Sequence, residues 1–205
     1  MFRFLILSTI FFLSLTCLSQ DQILTMSGRL IDCKIIDDKE IELRFEVTKK
    51  NGKTKERTLH KSEIFSVQKG MEEPVIYYEK NADFGDWMTQ EEMRVYIQGE
   101  MDARENYDVR WIKYAGYIAG SGIGYALQGA MIAGFIFPIL YTAYQFVPFI
   151  KIKGKFMSDT GYKYNDFYLN GFEPVARTKR VMAALKSSLI GSAVGAIVYI
   201  LIPIK

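Results

Sequence analysis

The sequence predicts an α+β membrane protein: a small antiparallel β module, either a curled sheet or an SH3-like barrel, followed by a helix and a glycine-rich transmembrane helical hairpin. Three observations predict it. Residues 22–80 alternate apolar and polar side chains, residues 114–150 contain no charged side chain, and small residues recur every fourth position within and beyond that stretch. Period-two alternation marks strands with one wet face, and rows of small residues in long uncharged segments mark helices that pair in lipid.

Residues 1–19 are set apart from the fold. "MFRFLILSTIFFLSLTCLS" has one cation, Arg3, an apolar run from Phe4 to Leu15, and small residues at Cys17 and Ser19. This is the three-part pattern of a secretory signal peptide, with cleavage expected after Ser19. The apolar run is short for a span of roughly 20 residues, which disfavours a retained anchor. Ser14 and Thr16 make a poor lipidation context for Cys17. After cleavage Cys33 is the only cysteine, so no internal disulfide is expected, and one cysteine with one histidine cannot build a thiolate zinc site. No metal, cofactor or nucleic-acid partner is expected.

The β module is read over 20–82. "IELRFEV" places Ile41, Leu43, Phe45 and Val47 on one face, and "LIDCKI" places Ile31, Cys33 and Ile35 inward. Ser27-Gly28, Asp37-Asp38-Lys39 and "KKNGKTK" (49–55) supply the turns. Five or six short strands follow, curled or docked so that their edges are protected. Cys33 reads as a core residue and His60 as a surface one. Ser66 and Lys69 match an S-x-x-K spacing, but on a strand running into a turn, where the match is chance.

An amphipathic helix is read over 88–112, opened by a Thr89–Glu92 capping box, with Met93, Tyr96, Ile97 and Met101 on one stripe. Glu100–Arg104 and Arg104–Asp108 are spaced as i,i+4 ion pairs. Gly99 costs such a helix about 1 kcal/mol relative to alanine, so it implies close packing at that point. Glu100 and Asp102 diverge by about 200° on a helix and cannot converge on one substrate atom, so no catalytic residue is assigned. Gly99, Glu100, Asp102 and Arg180 remain polar-region positions to test.

The first membrane segment is read over 113–138. Gly116, Gly120 and Gly124 form one row, and Gly122, Ala126, Ala130 and Gly134 a second. Pro138 is expected to kink or end this helix. "GSGIG" (120–124) follows no strand and lacks the third glycine of a dinucleotide loop. A basic aromatic loop and a lead-in helix that begins near Pro174 occupy 139–180, with Tyr141, Tyr144, Phe146 and Phe149 as an interfacial shelf. The last segment, 181–204, carries Gly191 and Gly195 in a GxxxG spacing, with Ser187, Ser188 and Ser192 beside them. The two small faces are expected to pack on each other.

Charge sets the expected topology. The formal net charge is +3, but Lys and Arg number 15 against 20 acids over 20–110, and 8 against 3 over 151–186. A cleaved signal leaves the acidic module in the periplasm of a bacterial inner membrane, and one crossing then delivers the basic loop to the cytoplasm. The alternative divides 114–150 into two short spans at Gln128-Gly129 and keeps the basic loop outside.

The signal ending in "LSQ", the "D-x-I…SG…CKI" opening, the G-x-x-D-A helix (Gly99, Asp102, Ala103) and A-x-x-K-R (Ala176, Lys179, Arg180) ahead of a glycine-containing last span together resemble a group of exported membrane proteins of Bacteroidota-type bacteria. The resemblance covers most of the chain. It implies architecture and compartment, transfers no chemistry, and singles out Asp102 and Arg180. The function expected is binding or assembly at the cell envelope, with the lipid bilayer and a protein partner or self-association through the membrane helices. An oligomeric pore or transport accessory is the alternative, and a membrane enzyme comes third.

Overall fold

The computed structural model describes residues 20–49, 51–126, 131–147 and 154–202, and the expected signal peptide, Cys17, Gln128, Gly129, Ala130 and Phe149 lie outside them. The chain divides into two compact units, Met1–Gln90 and Glu91–Lys205.

The first unit is a six-stranded antiparallel sheet. Its strands are β1 (Asp21–Thr25), β2 (Leu30–Asp38), β3 (Glu42–Thr48), β4 (Thr54–His60), β5 (Ile64–Gln68) and β6 (Val75–Ile76), in the order β4-β3-β2-β1-β5-β6. The curled sheet or barrel expected from the sequence is corrected to an open sheet with β4 and β6 as its edges. Alternation fixed which residues face inward but not whether the ends meet, because closure depends on accumulated twist and stagger. β4 instead protects its edge with charge: Lys55, Glu56 and Arg57 all stay exposed.

Ile23, Cys33, Leu43, Phe45, Ile64 and Val67 form the core of this unit, with Ile31, Ile35 and Val47 against it. Ile41 precedes β3 and is exposed. The hairpin turns stand where turn residues were read. Gly28 and Gly52 adopt φ of 64° and 75°, the left-handed region that an L side chain resists.

The second unit is helical. Its helices are α1 (Gln90–Asn106, in this unit from Glu91), α2 (Arg110–Ala126), α3 (Met131–Tyr144) and α4 (Asp166–Leu201), with short 3-10 turns at Gly154–Phe156 and Thr160–Tyr164. The amphipathic helix therefore ends at Asn106, short of 112, and a new helix starts at Arg110. Asp108 explains the restart. It accepts from the Arg110 backbone N–H at 2.9 Å and grips the Arg110 guanidinium at 2.9 Å, in place of the expected pair with Arg104. The Glu100–Arg104 pair is present at 3.9 Å.

The single span expected over 113–138 is corrected to two helices that fold back on each other. The Tyr141 hydroxyl donates to the Ile112 carbonyl at 2.8 Å. In one continuous helix those residues would stand about 43 Å apart. Pro138 neither ends nor begins α3; it is buried inside it. Pro174 likewise lies inside α4, because that helix already begins at Asp166, with Asn165 as its cap receiving the Phe167 and Tyr168 amides at 3.0 and 3.2 Å. The stretch 161–173, part of the loop expected ahead of Pro174, is thus a 3-10 turn and the first turns of a 36-residue helix about 54 Å long.

The two halves of α4 have different neighbours. Its first half joins α1 and the Gly154–Phe156 turn in a core of Ala103, Phe156, Met157, Tyr168, Phe172 and Ala176. Tyr107 meets Phe156 and Phe172 edge-on at 5.3 and 5.9 Å. Its second half packs on α2, and α3 also packs against this helix. The basic segment expected across a bilayer from α1 therefore lies against α1 instead.

Candidate functional site

Asp102 is the polar centre of the helical unit. It sits one turn from the end of α1 and is 3% exposed. Its Oδ2 accepts from the Ser158 amide at 2.8 Å, the Ser158 hydroxyl at 2.9 Å and the Tyr168 hydroxyl at 2.7 Å, and its Oδ1 accepts from Gln98 at 3.1 Å. Four hydrogen-bond donors thus converge on one carboxylate. Burial, and next to it the bond to Asp102, push the Tyr168 phenol well above its ordinary range. The carboxylate is saturated, so its role is to join α1, the 154–158 segment and α4.

Lys179 makes the second join. Its Nζ donates to the carbonyls of Ala103, Arg104 and Tyr107 at 3.1, 2.7 and 2.9 Å. These are carbonyls at and just beyond the end of α1, where a cation is favoured. Burial, with Lys113 as the next cause, pulls its pKa below the usual lysine value. Arg180 is the third: its guanidinium holds the Gln145 side-chain carbonyl at 2.9 Å, tying the end of α3 to α4. Consecutive residues on α4 thus anchor α1 and α3.

The helix-packing residues divide sharply. A Cβ built on Gly120 would fall 2.7 Å from the Ser188 carbonyl oxygen, and one on Gly191 2.7 Å from the Tyr117 carbonyl oxygen. Gly116 faces the Ser187 side chain, Gly124 the Ser192 backbone, and Gly195 the backbone of Ser121 and Tyr125, all closer still. The row Gly116–Gly120–Gly124 therefore packs backbone to backbone on Gly191 and Gly195. The second row does not follow it. Gly122 has nothing within 4 Å and Ala126 is exposed. Gly134 is in α3 with its surroundings outside the description, and Ala130 is not described.

Gly99 meets the expectation of a close neighbour: it abuts the Tyr168 carbonyl, and Gly171 abuts the Tyr96 carbonyl in return. Glu100 stays near Arg104, turned away from Asp102 as helical geometry requires.

Reading the sequence missed Ser158, Tyr168, Gly171 and Lys179. The signals present were the A-x-x-K-R pattern for Lys179 and the aromatic density of 161–173 for Tyr168 and Gly171, a stretch that is a 3-10 turn and a core-facing helix start. In the β unit, Cys33 is 6% exposed, and burial, then Asp21 and Asp32, raise its thiol to about 12. His60 is exposed and contacts Ser62. Lys69 reaches Asp38 at 3.3 Å while Ser66 is buried in β5, so the S-x-x-K pair is not a site. Asp38 also accepts from the Tyr77 hydroxyl at 2.7 Å and pairs with Lys61 at 2.8 Å.

Among the described residues, no group of three or more His, Cys, Asp or Glu side chains could hold a metal. No protein-family model matches the chain, and no curated protein or solved structure matches it. The geometry alone therefore carries the functional argument.

Proposed function

We propose that this chain is a cell-envelope membrane protein acting by binding or assembly, with the apolar half of its helical unit anchored in the bilayer and its β unit in the periplasm. One observation carries this reading. Along α2 and the second half of α4, Gly116, Gly120, Gly124, Gly191 and Gly195 are buried against the facing helix while large apolar residues face outward, with Ile118 and Ile200 75% and 76% exposed. A water-soluble helix pair buries its large side chains; helices in lipid gain little from doing so and pair through small faces. Among the described residues α4 is the one helix long and apolar enough to cross a membrane.

In this reading α2 and α3 enter and leave on one side, and α4 crosses. The basic segment then shares a compartment with α1, and with the β unit, since no apolar stretch separates that unit from α1 in the sequence. With a cleaved signal peptide that compartment is the periplasm, and the membrane is the bacterial inner one. The pore alternative gains nothing from the geometry, because the α2–α4 seam is filled by backbone.

The test combines carbonate extraction with single-cysteine labelling at Glu105 and Lys163, both exposed, in a chain with Cys17 and Cys33 replaced by alanine. Retention in the membrane and labelling of both positions from one side are expected. Release by carbonate, or labelling from opposite sides, refutes the arrangement. Binding is read separately, as a heterologous partner co-purified at fixed stoichiometry in mild detergent. A pure homo-oligomer that leaks ions in liposomes would instead support the pore.

A further inference from the structure

Beside the α1–α4 join lies a cavity of about 370 Å³ between the start of α2 and the middle of α4. Its lining divides by chemistry. Lys113, Lys179 and Lys186 stand on it together with Tyr117, Met182 and Ile190. Among the described residues no carboxylate lines it. Asp108, the acid that acts on Lys179, is already gripped by the Arg110 guanidinium. Lys179 spends its donors on carbonyls and contributes only its charge. Lys113 and Lys186 are exposed and form no ion pair among the described residues.

The two free lysines also mark a boundary. Lys113 is the last charge before the uncharged stretch 114–150, and Lys186 is the last before the uncharged stretch 187–204. Three cations are therefore gathered where the apolar half of the helices begins, above an apolar groove formed by Tyr117 and Ile190. That is the depth of lipid headgroups in the reading given above, on which this inference rests.

We propose that this cavity binds the phosphodiester of an anionic phospholipid, held between Lys113 and Lys186 with the acyl chains running along Tyr117 and Ile190. An anionic lipid fits better than a zwitterionic one. A headgroup ammonium would meet three lysines and no acid, whereas a net negative headgroup relieves their mutual repulsion. Lys179 feels it: burial first, and then Lys113, disfavour its charged state.

The experiment uses the purified full chain, delipidated in neutral detergent, with binding of phosphatidylglycerol and phosphatidylcholine measured by native mass spectrometry. Wild type is expected to prefer phosphatidylglycerol. The double variant Lys113→Gln/Lys186→Gln is expected to bind it roughly 30-fold more weakly, about fivefold per lysine. Lys163→Gln, a basic residue away from the cavity, is expected to bind as wild type does. Equal binding of the two lipids, or an unaltered double variant, overturns the proposal. Displacement of the lipid by millimolar inorganic phosphate overturns the lipid as the source in favour of a free phosphate. Carbonate extraction of the same wild-type chain keeps the two readings apart. Release there sinks the membrane anchor itself, while retention without lipid preference sinks only this site.

Discussion

Gly120→Ala and Gly122→Ala make the same chemical change two residues apart on α2, and the seam geometry gives them opposite signs. At 120 the new methyl would sit 2.7 Å from Ser188 O, 3.0 Å from Ser192 N and 3.2 Å from Gly191 Cα. All three are backbone atoms, so no side chain can swing aside. Carbon–oxygen contact begins near 3.3 Å, so the helices must part by roughly 0.6 Å. A gap of that size forfeits about a quarter of each dispersion contact along the seam. Overpacking of this kind costs about 2 kcal/mol, only partly offset by the better helix propensity of alanine. At 122 nothing lies within 4 Å, so only the propensity gain remains, up to about 1 kcal/mol. The propensity gain is common to both, so the two variants should differ by the overpacking cost, about 2 kcal/mol. Thermal unfolding of the full chain in mild detergent, followed by far-ultraviolet circular dichroism, reads the difference. Equal stabilities, or a more stable Gly120→Ala, would refute the seam.

Other outcomes follow from named contacts. Asp102→Ala strands the Tyr168 hydroxyl and the Ser158 amide, and should cost about 3 kcal/mol, while Asp102→Asn, which keeps an acceptor, costs less. Faster hydrogen exchange at Ser158 is the local readout, and unchanged exchange there would count against the role given to Asp102. In the β unit, the Lys61 hydrogen bond, partly opposed by burial and assisted by those of Tyr77 and Lys69, holds Asp38 down at about 2. A depressed carboxylate stabilises the fold above its unfolded value, and that contribution is lost as pH falls through the folded one. Asp38→Asn should thus lower stability at neutral pH by no more than about 1 kcal/mol, the group being partly exposed, and the gap should close between about pH 4 and pH 2. Thermal melts of both chains across that range check it. Cys33, with its thiol at about 12, should resist maleimide at neutral pH until the β unit unfolds. Rapid labelling of native protein carrying Cys17→Ser would show that the strand is not held as described.

Much of this architecture was legible in residue order because it is periodic. Alternation in "IELRFEV" and "LIDCKI" placed Leu43, Phe45 and Cys33 in the core, and four-residue spacing named Gly116, Gly120, Gly124, Gly191 and Gly195 as a packing face. Even Gly99, a local penalty in its helix, pointed to a close neighbour. Such inferences succeed because a repeat along the chain maps onto one face of one element, whatever that face later meets.

What the sequence alone determined, then, is which faces are apolar, small or charged, and that the uncharged half differs in kind from the rest. Only the tertiary structure decided where those faces go. It returned α3 along α2, brought the basic segment back onto α1, and joined Asp102 to Ser158 and Tyr168, each more than fifty residues further along the chain, in one polar lock. The physical reason is that a carboxylate or an ammonium carries no periodic signature. Its partner is chosen by whichever donors folding brings within hydrogen-bond distance, and for Asp102 and Lys179 those donors and acceptors come from distant segments of the chain.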